Sequence, residues 1–352
     1  MTRILYLGDD NNSSTSLHRI EAMRRLGNCV DVLNPAAAIA LKMKSKVASF
    51  FHYNTGYIFI QRAIQKWLVS NIKSNSGYDL IWVNSGELFG KQAVKLLREQ
   101  KSPVILYNND DPTGTRDAYR FKSLLKALPL YDLCVIRKEK DNAEFLKLGA
   151  RRIMNVYMSY DEVAHKPFDD TNDIPADLRS EIVFIGTWIR NEGRDEFLLE
   201  LIRQGLPVSI FGDRWEKSPN FHILKSHIRG RAIYNRDYVA AVQGAKICLG
   251  FLSKGNRDTH TRRSVEIPYI GSVFCAERTD THQSMYKEGV EAFLWSSVTE
   301  CADICRQLLQ DNRLREQVRI AGMTKVRALG VGNEDLCKQV IEAAKLLVTE
   351  DK

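Results

Sequence analysis

Residues 181–186 read EIVFIG, and residues 3–8 read RILYLG. Each is an apolar run of strand character that stops on a glycine. A strand buried in a parallel sheet looks like this, and its carboxyl end is where ligands enter such a sheet. Outward from Arg3–Gly8, a polar loop, Asp9–Ser14, leads to Leu17, Ile20, Met23 and Leu26 on one helical face. Gly27 closes that helix and Cys29–Leu33 resumes as a strand, which makes a β-α-β start. Strand-like Leu80–Val83, Val104–Tyr107 and Leu133–Ile136 then alternate with helical Leu88–Glu99, Ala118–Ala127 and Glu139–Leu148. The rhythm lapses over 155–180, where HKPFDDTNDIPADL is polar, carries two prolines and reads as a connector.

At Glu181 the alternation restarts. Helix Glu196–Gln204, strand Pro207–Phe211 ending at Gly212, helix Arg236–Gly244 and strand Ile247–Leu252 are followed by helices Val298–Asp311, Arg313–Leu329 and Asn333–Val348. The predicted fold is α/β, with two Rossmann-like domains facing each other across an interdomain cleft. Their expected limits are 1–170 and 171–352, with the last helix free to pack back on the first domain.

The 352 residues suit two ordinary domains, and 44% hydrophobic with 27% charged residues is the balance of a soluble globular chain. No apolar run reaches membrane-spanning length, and MTRILYLGDD enters a strand at once instead of a signal peptide. The seven cysteines are odd in number and form no CxxC pair; Cys301 and Cys305, one turn apart, are expected to be small helix-face residues. A reducing, cytoplasmic setting follows, at most peripheral to the inner face of a membrane. The net charge of +8 admits anionic partners, but zinc-finger spacing, an RNA-binding sheet signature and an arginine-rich tail are all missing, so nucleic acid is not expected. The basic residues are unevenly spread. Between Pro35 and Tyr78 there is no Asp or Glu, while Lys42, Lys44, Lys46, Arg62, Lys66 and Lys73 alternate with Phe50, Phe51, Tyr53, Tyr57, Phe59 and Trp67. Peripheral contact with an anionic membrane through 36–75 is the expectation for that segment.

The chemistry concentrates in Lys254–Glu277, KGNRDTHTRRSVEIPYIGSVFCAE. Lys254, Arg257, Arg262 and Arg263 crowd against Asp258 and Glu266 between two strand-like runs. Cations and helix-terminal amides at a parallel-sheet edge suit a phosphate or diphosphate. Arg263 and Glu266, three residues apart, should share a helix face. Gly186 ends its strand where a side chain would block close approach to a phosphate, and Arg190 and Arg194 lie on the turn beyond it.

In order and spacing, VFIGTWIRNEGRDEFLLEL (183–201), VSIFGDRW (208–215), YVAAVQGAKICLGFL (238–252) and RRSVEIPYIGSVFCAE (262–277) resemble the family 4-like (group 1) glycosyltransferases of GT-B architecture, in the CgeB-like branch. LYNNDDPTGTRDAYR (106–120), YDLCVIRKEKDNAEFLKLGARR (131–152) and HKP (165–167) extend the resemblance over most of the chain. It implies a nucleotide-diphosphate sugar as co-substrate, held by the C-terminal domain, no tightly bound cofactor or metal, and an acceptor held by the N-terminal domain. The donor-site acids of that family, with seven residues between them, fall on Asp258 and Glu266. Glu266 would hold the ribose and Asp258, an Asp where the family has Glu, would lie near the sugar. Arg190, Arg194, Lys254 and Arg263 are the candidate diphosphate ligands. Gly212 marks the seat of the base, with Trp215 to stack on it and Tyr238 as a further donor contact. Pro268 departs from the pattern, since proline bends or shortens a helix.

On the acceptor side Asp9, His18 and Asp110 stand at or near strand ends, where a carboxylate or imidazole can steer or deprotonate a hydroxyl. No phosphate-loop motif, nucleophile elbow or Asp-x-Asp triplet is present. The expected activity is transfer of a sugar to a saccharide, lipid-linked or protein acceptor, retaining and metal-independent, in surface polysaccharide, glycolipid or glycoprotein assembly. The alternatives are a non-catalytic sugar-nucleotide-binding or coat scaffold protein and a sugar-nucleotide epimerase. Replacing Glu266 or Arg263 by Ala is expected to abolish transfer and spare the fold.

Overall fold

The computed structural model describes residues 1–72, 76–114 and 116–350, so Lys73 of the acid-free segment lies outside the described residues. The chain divides into two compact units. One holds Met1–Tyr157, Gly255–Arg257 and Asn333–Lys352, and the other Met158–Lys254 and Asp258–Gly332. Residues 158–170 therefore go with the second unit, so the boundary falls thirteen positions before the expected limit. The reason is local: Gln243 of the second unit exchanges amide hydrogen bonds with both backbone groups of Phe168, and Arg236 stacks on the Phe168 ring at 3.8 Å.

The first unit is a six-stranded parallel sheet. Its strands are β1 (Arg3–Leu7), β2 (Cys29–Leu33), β3 (Leu80–Asn84), β4 (Val104–Asn108), β5 (Leu133–Ile136) and β6 (Ile153–Asn155), in the order β2-β1-β3-β4-β5-β6. Alternation along β1 sends Leu5 and Leu7 to one face and Ile4 and Tyr6 to the other, and both faces are covered. That is why RILYL reads as a continuous apolar run. Ile60, Ile64, Phe89 and Leu97 cover the first face. The second is covered by Ile20 and Met23 of helix Thr15–Arg25 and by Leu336, Val340 and Ala344 of helix Asn333–Glu350.

The second unit repeats the plan with β7 (Ser180–Ile185), β8 (Val208–Phe211), β9 (Ile228–Gly230), β10 (Ala245–Gly250), β11 (Val273–Glu277) and β12 (Phe293–Trp295), all parallel, in the order β12-β11-β10-β7-β8-β9. β6, β9 and β12 were not foreseen. Each has three residues and lies at a sheet edge, too short to carry a periodic signal.

Helix Arg263–Ile270 follows β10 with Pro268 inside it. It keeps its hydrogen-bonded turns and ends at Gly271, whose φ of 100° lets the chain reverse into β11. Proline removes the N–H that would pair with the Ser264 carbonyl one turn back. The Tyr286 hydroxyl donates to that carbonyl at 2.7 Å instead, and Tyr286 is 2% exposed. The proline is accommodated because a side chain replaces the missing donor.

Tyr286→Phe leaves the Ser264 carbonyl buried without that donor. We expect it to cost about 1–3 kcal/mol of stability, read as a lower midpoint in urea with an unchanged slope. Pro268→Ala in the same background supplies an N–H to the carbonyl and should recover part of the loss.

Candidate functional site

In the second sheet the strand order reverses between β7 and β10. Helix Arg194–Arg203, which follows β7, packs Leu198 and Leu199 on one face of the sheet, while helix Arg263–Ile270 packs Val265 and Ile267 on the other. The chains leaving β7 and β10 therefore diverge, and a crevice opens at the carboxyl ends of these strands.

Two buried charges stitch its walls. Arg194 donates to the carbonyls of Thr187, after β7, at 3.0 Å and Leu252, after β10, at 3.3 Å. Glu192 accepts from the Ser253 hydroxyl at 3.0 Å and the Lys254 N–H at 2.9 Å, and stands 3.6 Å from Arg194. Arg194 was expected to meet a diphosphate; its burial and its two carbonyl partners give it a structural place instead. Glu192 carried no motif and was not foreseen. Exposed cations here include Arg190, on the turn after β7, and Lys254 and Arg262, on the segment after β10. Gly193, with φ of 70°, starts helix Arg194–Arg203, whose first amides add partial positive charge.

Gly186 and Gly212 lie side by side. A Cβ on Gly212 would fall on the Gly186 carbonyl, well inside contact distance. Trp215 is 2% exposed, and its indole N–H donates to that same carbonyl at 3.0 Å. It fixes the turn after β7 and offers no open face for a base.

Glu266 forms the second centre. It is 1% exposed and accepts from the Tyr238 hydroxyl at 2.8 Å and from the Arg263 guanidinium, which also lies over the Tyr238 ring at 4.2 Å. His165, which no spacing pointed to, completes the group. Its Nδ1 accepts the Asp161 N–H at 2.8 Å, which puts the proton of the neutral ring on Nε2, 3.7 Å from Glu266. Burial lowers the His165 pKa, so the ring is neutral at neutral pH. Burial alone would raise Glu266, but Arg263, His165 and Arg262 outweigh it and hold the carboxyl at about 2. Tyr238, foreseen as a donor contact, is thus a buried partner of Glu266.

Asp258 closes its own loop: its carboxylate accepts the Ser253 N–H at 3.4 Å and its N–H donates to the Ser253 carbonyl at 3.2 Å. Arg257, in the middle of the charged stretch, goes with the first unit. Its guanidinium meets Asp111 at 2.8 and 2.5 Å and Glu144 at 3.3 Å, and Lys138 lies 3.1 Å from Asp111. These charges hold Gly255–Arg257 in place and are not offered to a ligand.

Elsewhere in the first unit, Asp9 accepts the Asn11 N–H at 3.1 Å and His18 lies in the helix that follows. Asp110 accepts from Arg120 at 3.1 Å. Among the described residues one group of side chains has metal-ligand geometry: Cys275, Cys301 and Cys305, fully buried, with sulfurs within 4.8 Å of one another. They pack with Leu249, Val273 and Leu308. Cys275 was the unforeseen member, since it comes from β11.

Residues 190–329 match the family model described as glycosyl transferase-like. No curated protein matches the chain in sequence. Among solved structures, a sucrose-phosphate synthase from Thermosynechococcus elongatus aligns with a TM-score of 0.71 at 14% identity over 99% of this chain and 100% of that one. The Anabaena HepE protein in complex with UDP-glucose gives 0.64 at 14% identity over 97% and 99%. A Listeria monocytogenes protein assigned as a UDP-N-acetylglucosamine 2-epimerase gives 0.58 at 10% identity over 99% and 97%. The chain has the GT-B fold along its whole length.

The Glu266 group predicts a pH dependence. The carboxyl is lower in the fold than its ordinary 4.5, so its contribution is complete above pH 4.5 and fades as pH falls toward 2. Relative to Glu266→Gln, the native chain should lose on the order of 3 kcal/mol across that interval, measured by denaturant titration at stepped pH. Parallel profiles would remove the charge pairing argued here.

Proposed function

We propose that the chain is a glycosyltransferase that takes a sugar from a nucleotide-diphosphate donor and transfers it to an acceptor hydroxyl. The observation that carries this reading is that residues 190–329, matched to the glycosyl transferase-like model, include those that build the β7–β10 crevice: Arg190, Glu192, Arg194, Ser253, Lys254, Arg263 and Glu266. The unit of Met158–Lys254 and Asp258–Gly332 acts as the donor domain and the unit built on Met1–Tyr157 as the acceptor domain, with family 4-like, CgeB-like chemistry as the finer assignment. The HepE complex contains UDP-glucose, which makes a UDP-hexose the first donor to try.

Breaking the glycosidic bond puts negative charge on the leaving diphosphate. In this reading Lys254 and Arg190, exposed at the crevice, and the amides that start helix Arg194–Arg203 stabilise that charge as it grows. Arg263 is 30% exposed at its side chain and is held by Glu266, so the two act as one unit. Glu266 is ionised and orients Arg263. For Glu266 to hold the ribose diol as well, the Arg263 side chain has to turn away from it. A retaining, metal-independent course with the departing phosphate taking the acceptor proton needs no dedicated protein base. Surface polysaccharide, glycolipid or glycoprotein assembly is the pathway class. One observation favours a second reading: His165 beside Glu266 supplies the histidine and acid that a sugar-nucleotide epimerase needs.

A panel of nucleotide sugars, scored for free nucleotide, tests the reading. Release that depends on an acceptor supports transfer, an altered sugar still attached supports the epimerase, and binding alone supports a scaffold. Glu266→Ala and Arg263→Ala are poor probes because each strands a buried charge and endangers the fold. Lys254→Ala and Arg190→Ala change exposed side chains. Each should lower kcat/KM for the donor by about tenfold or more with the thermal midpoint unmoved, and native turnover in both would remove them from the site.

A further inference from the structure

The acid-free segment of the first unit folds into helices Lys46–Asn54 and Gln61–Asn71 joined by a short turn. Helix Lys46–Asn54 buries none of its side chains. Val47 is 79% exposed, Phe50 71% and Phe59 63%, with Leu41, Phe51, Ile58 and Val69 also open to solvent. The Phe51 and Phe59 rings stack at 5.4 Å, which joins the helix and the following turn into one apolar surface. Lys42, Lys44, Lys46, Arg62 and Lys66 are all exposed around it.

The surface is firmly mounted. Tyr57, Ile60, Ile64 and Leu68 enter the core, the Tyr53 hydroxyl donates to Asp117 at 2.7 Å, and the Ser123 hydroxyl donates to the Gly56 carbonyl. A fixed face of aromatic and aliphatic side chains ringed by cations, on a segment with no Asp or Glu of its own, fits one surface well. Apolar groups enter the boundary of a bilayer while lysines and arginines reach its phosphates. No helix among the described residues is long and apolar enough to cross a membrane, so this face would lie on one.

We propose that helix Lys46–Asn54 and the turn through Phe59 dock the protein on an anionic lipid bilayer. If the chain transfers sugars as proposed above, this face selects a membrane-borne, lipid-linked acceptor. A peripheral place on the inner leaflet agrees with the reducing setting read from the cysteines.

Co-sedimentation of the full chain with vesicles tests this. Binding is expected to phosphatidylglycerol–phosphatidylcholine vesicles and to fall steeply with salt, with little to phosphatidylcholine alone. The Phe50→Ser/Phe59→Ser variant and the Lys44→Gln/Lys46→Gln variant should each weaken the partition by about tenfold. Their thermal midpoints should stay unchanged, because every altered side chain is exposed. Equal binding to both vesicle types, no binding, or self-association through this face that Phe50→Ser/Phe59→Ser abolishes would overturn the proposal. Nucleotide release with a water-soluble acceptor and no vesicles separates the two readings. Native release without vesicle binding defeats docking alone, and vesicle binding without release on any donor defeats the transferase reading alone.

Discussion

Arg194 and Glu192 hold together two turns that the sheet topology drives apart. A parallel sheet whose strand order reverses sends consecutive connections to opposite faces, and only loops remain at the point of divergence. Loops leave backbone carbonyls and amides unpaired. Here the Thr187 and Leu252 carbonyls share one guanidinium, and the Ser253 hydroxyl and Lys254 amide share one carboxylate. The two side chains also neutralise each other at 3.6 Å, which makes their burial tolerable. Gly186 and Gly212 then let β7 and β8 end flush, with Trp215 bonded over the junction. The exposed cations of the crevice owe their positions to this buried scaffold.

Cations in this chain are therefore of two kinds, and the net charge does not distinguish them. Arg19, Lys138 and Arg194 are buried and committed to internal partners; Arg19 bonds Asn84 at 2.9 Å and lies over the Tyr107 ring at 4.5 Å. Arg190, Lys254 and the lysines of the acid-free segment are exposed. Desolvation decides which of them a ligand can meet, because a buried cation already bonded gives up as much as it gains on changing partner. Composition admits an anionic partner, and burial narrows the residues that could meet one.

The alternation of strand and helix was legible because strands buried on both faces are continuous apolar runs, as RILYL and EIVFI are. The Arg263–Glu266 contact was legible from a spacing of one helical turn. Other features depend on residues far apart in the chain. Arg257 meets Asp111 across 146 positions, and no local pattern signals it. Trp215 and Tyr238 were plausible ligand contacts as residue types; only their burial shows that an indole N–H and a phenol hydroxyl are already engaged. His165 and Cys275 joined their groups through tertiary packing, which leaves no periodic trace.

Pro268 has an effect beyond its helix. Most helices complete their own ladder of hydrogen bonds and can open or close without reference to other segments. Helix Arg263–Ile270 borrows one rung from Tyr286, at the end of helix Asp280–Met285, while Ser264 is also joined to His282 of that helix at 2.8 Å. The helix that carries Arg263 and Glu266 thus cannot fray alone. Its opening would release Tyr286 and His282, so the amides of both segments belong to a single cooperative unit of hydrogen exchange. A residue that usually weakens a helix has here tied the helix to the structure that follows it.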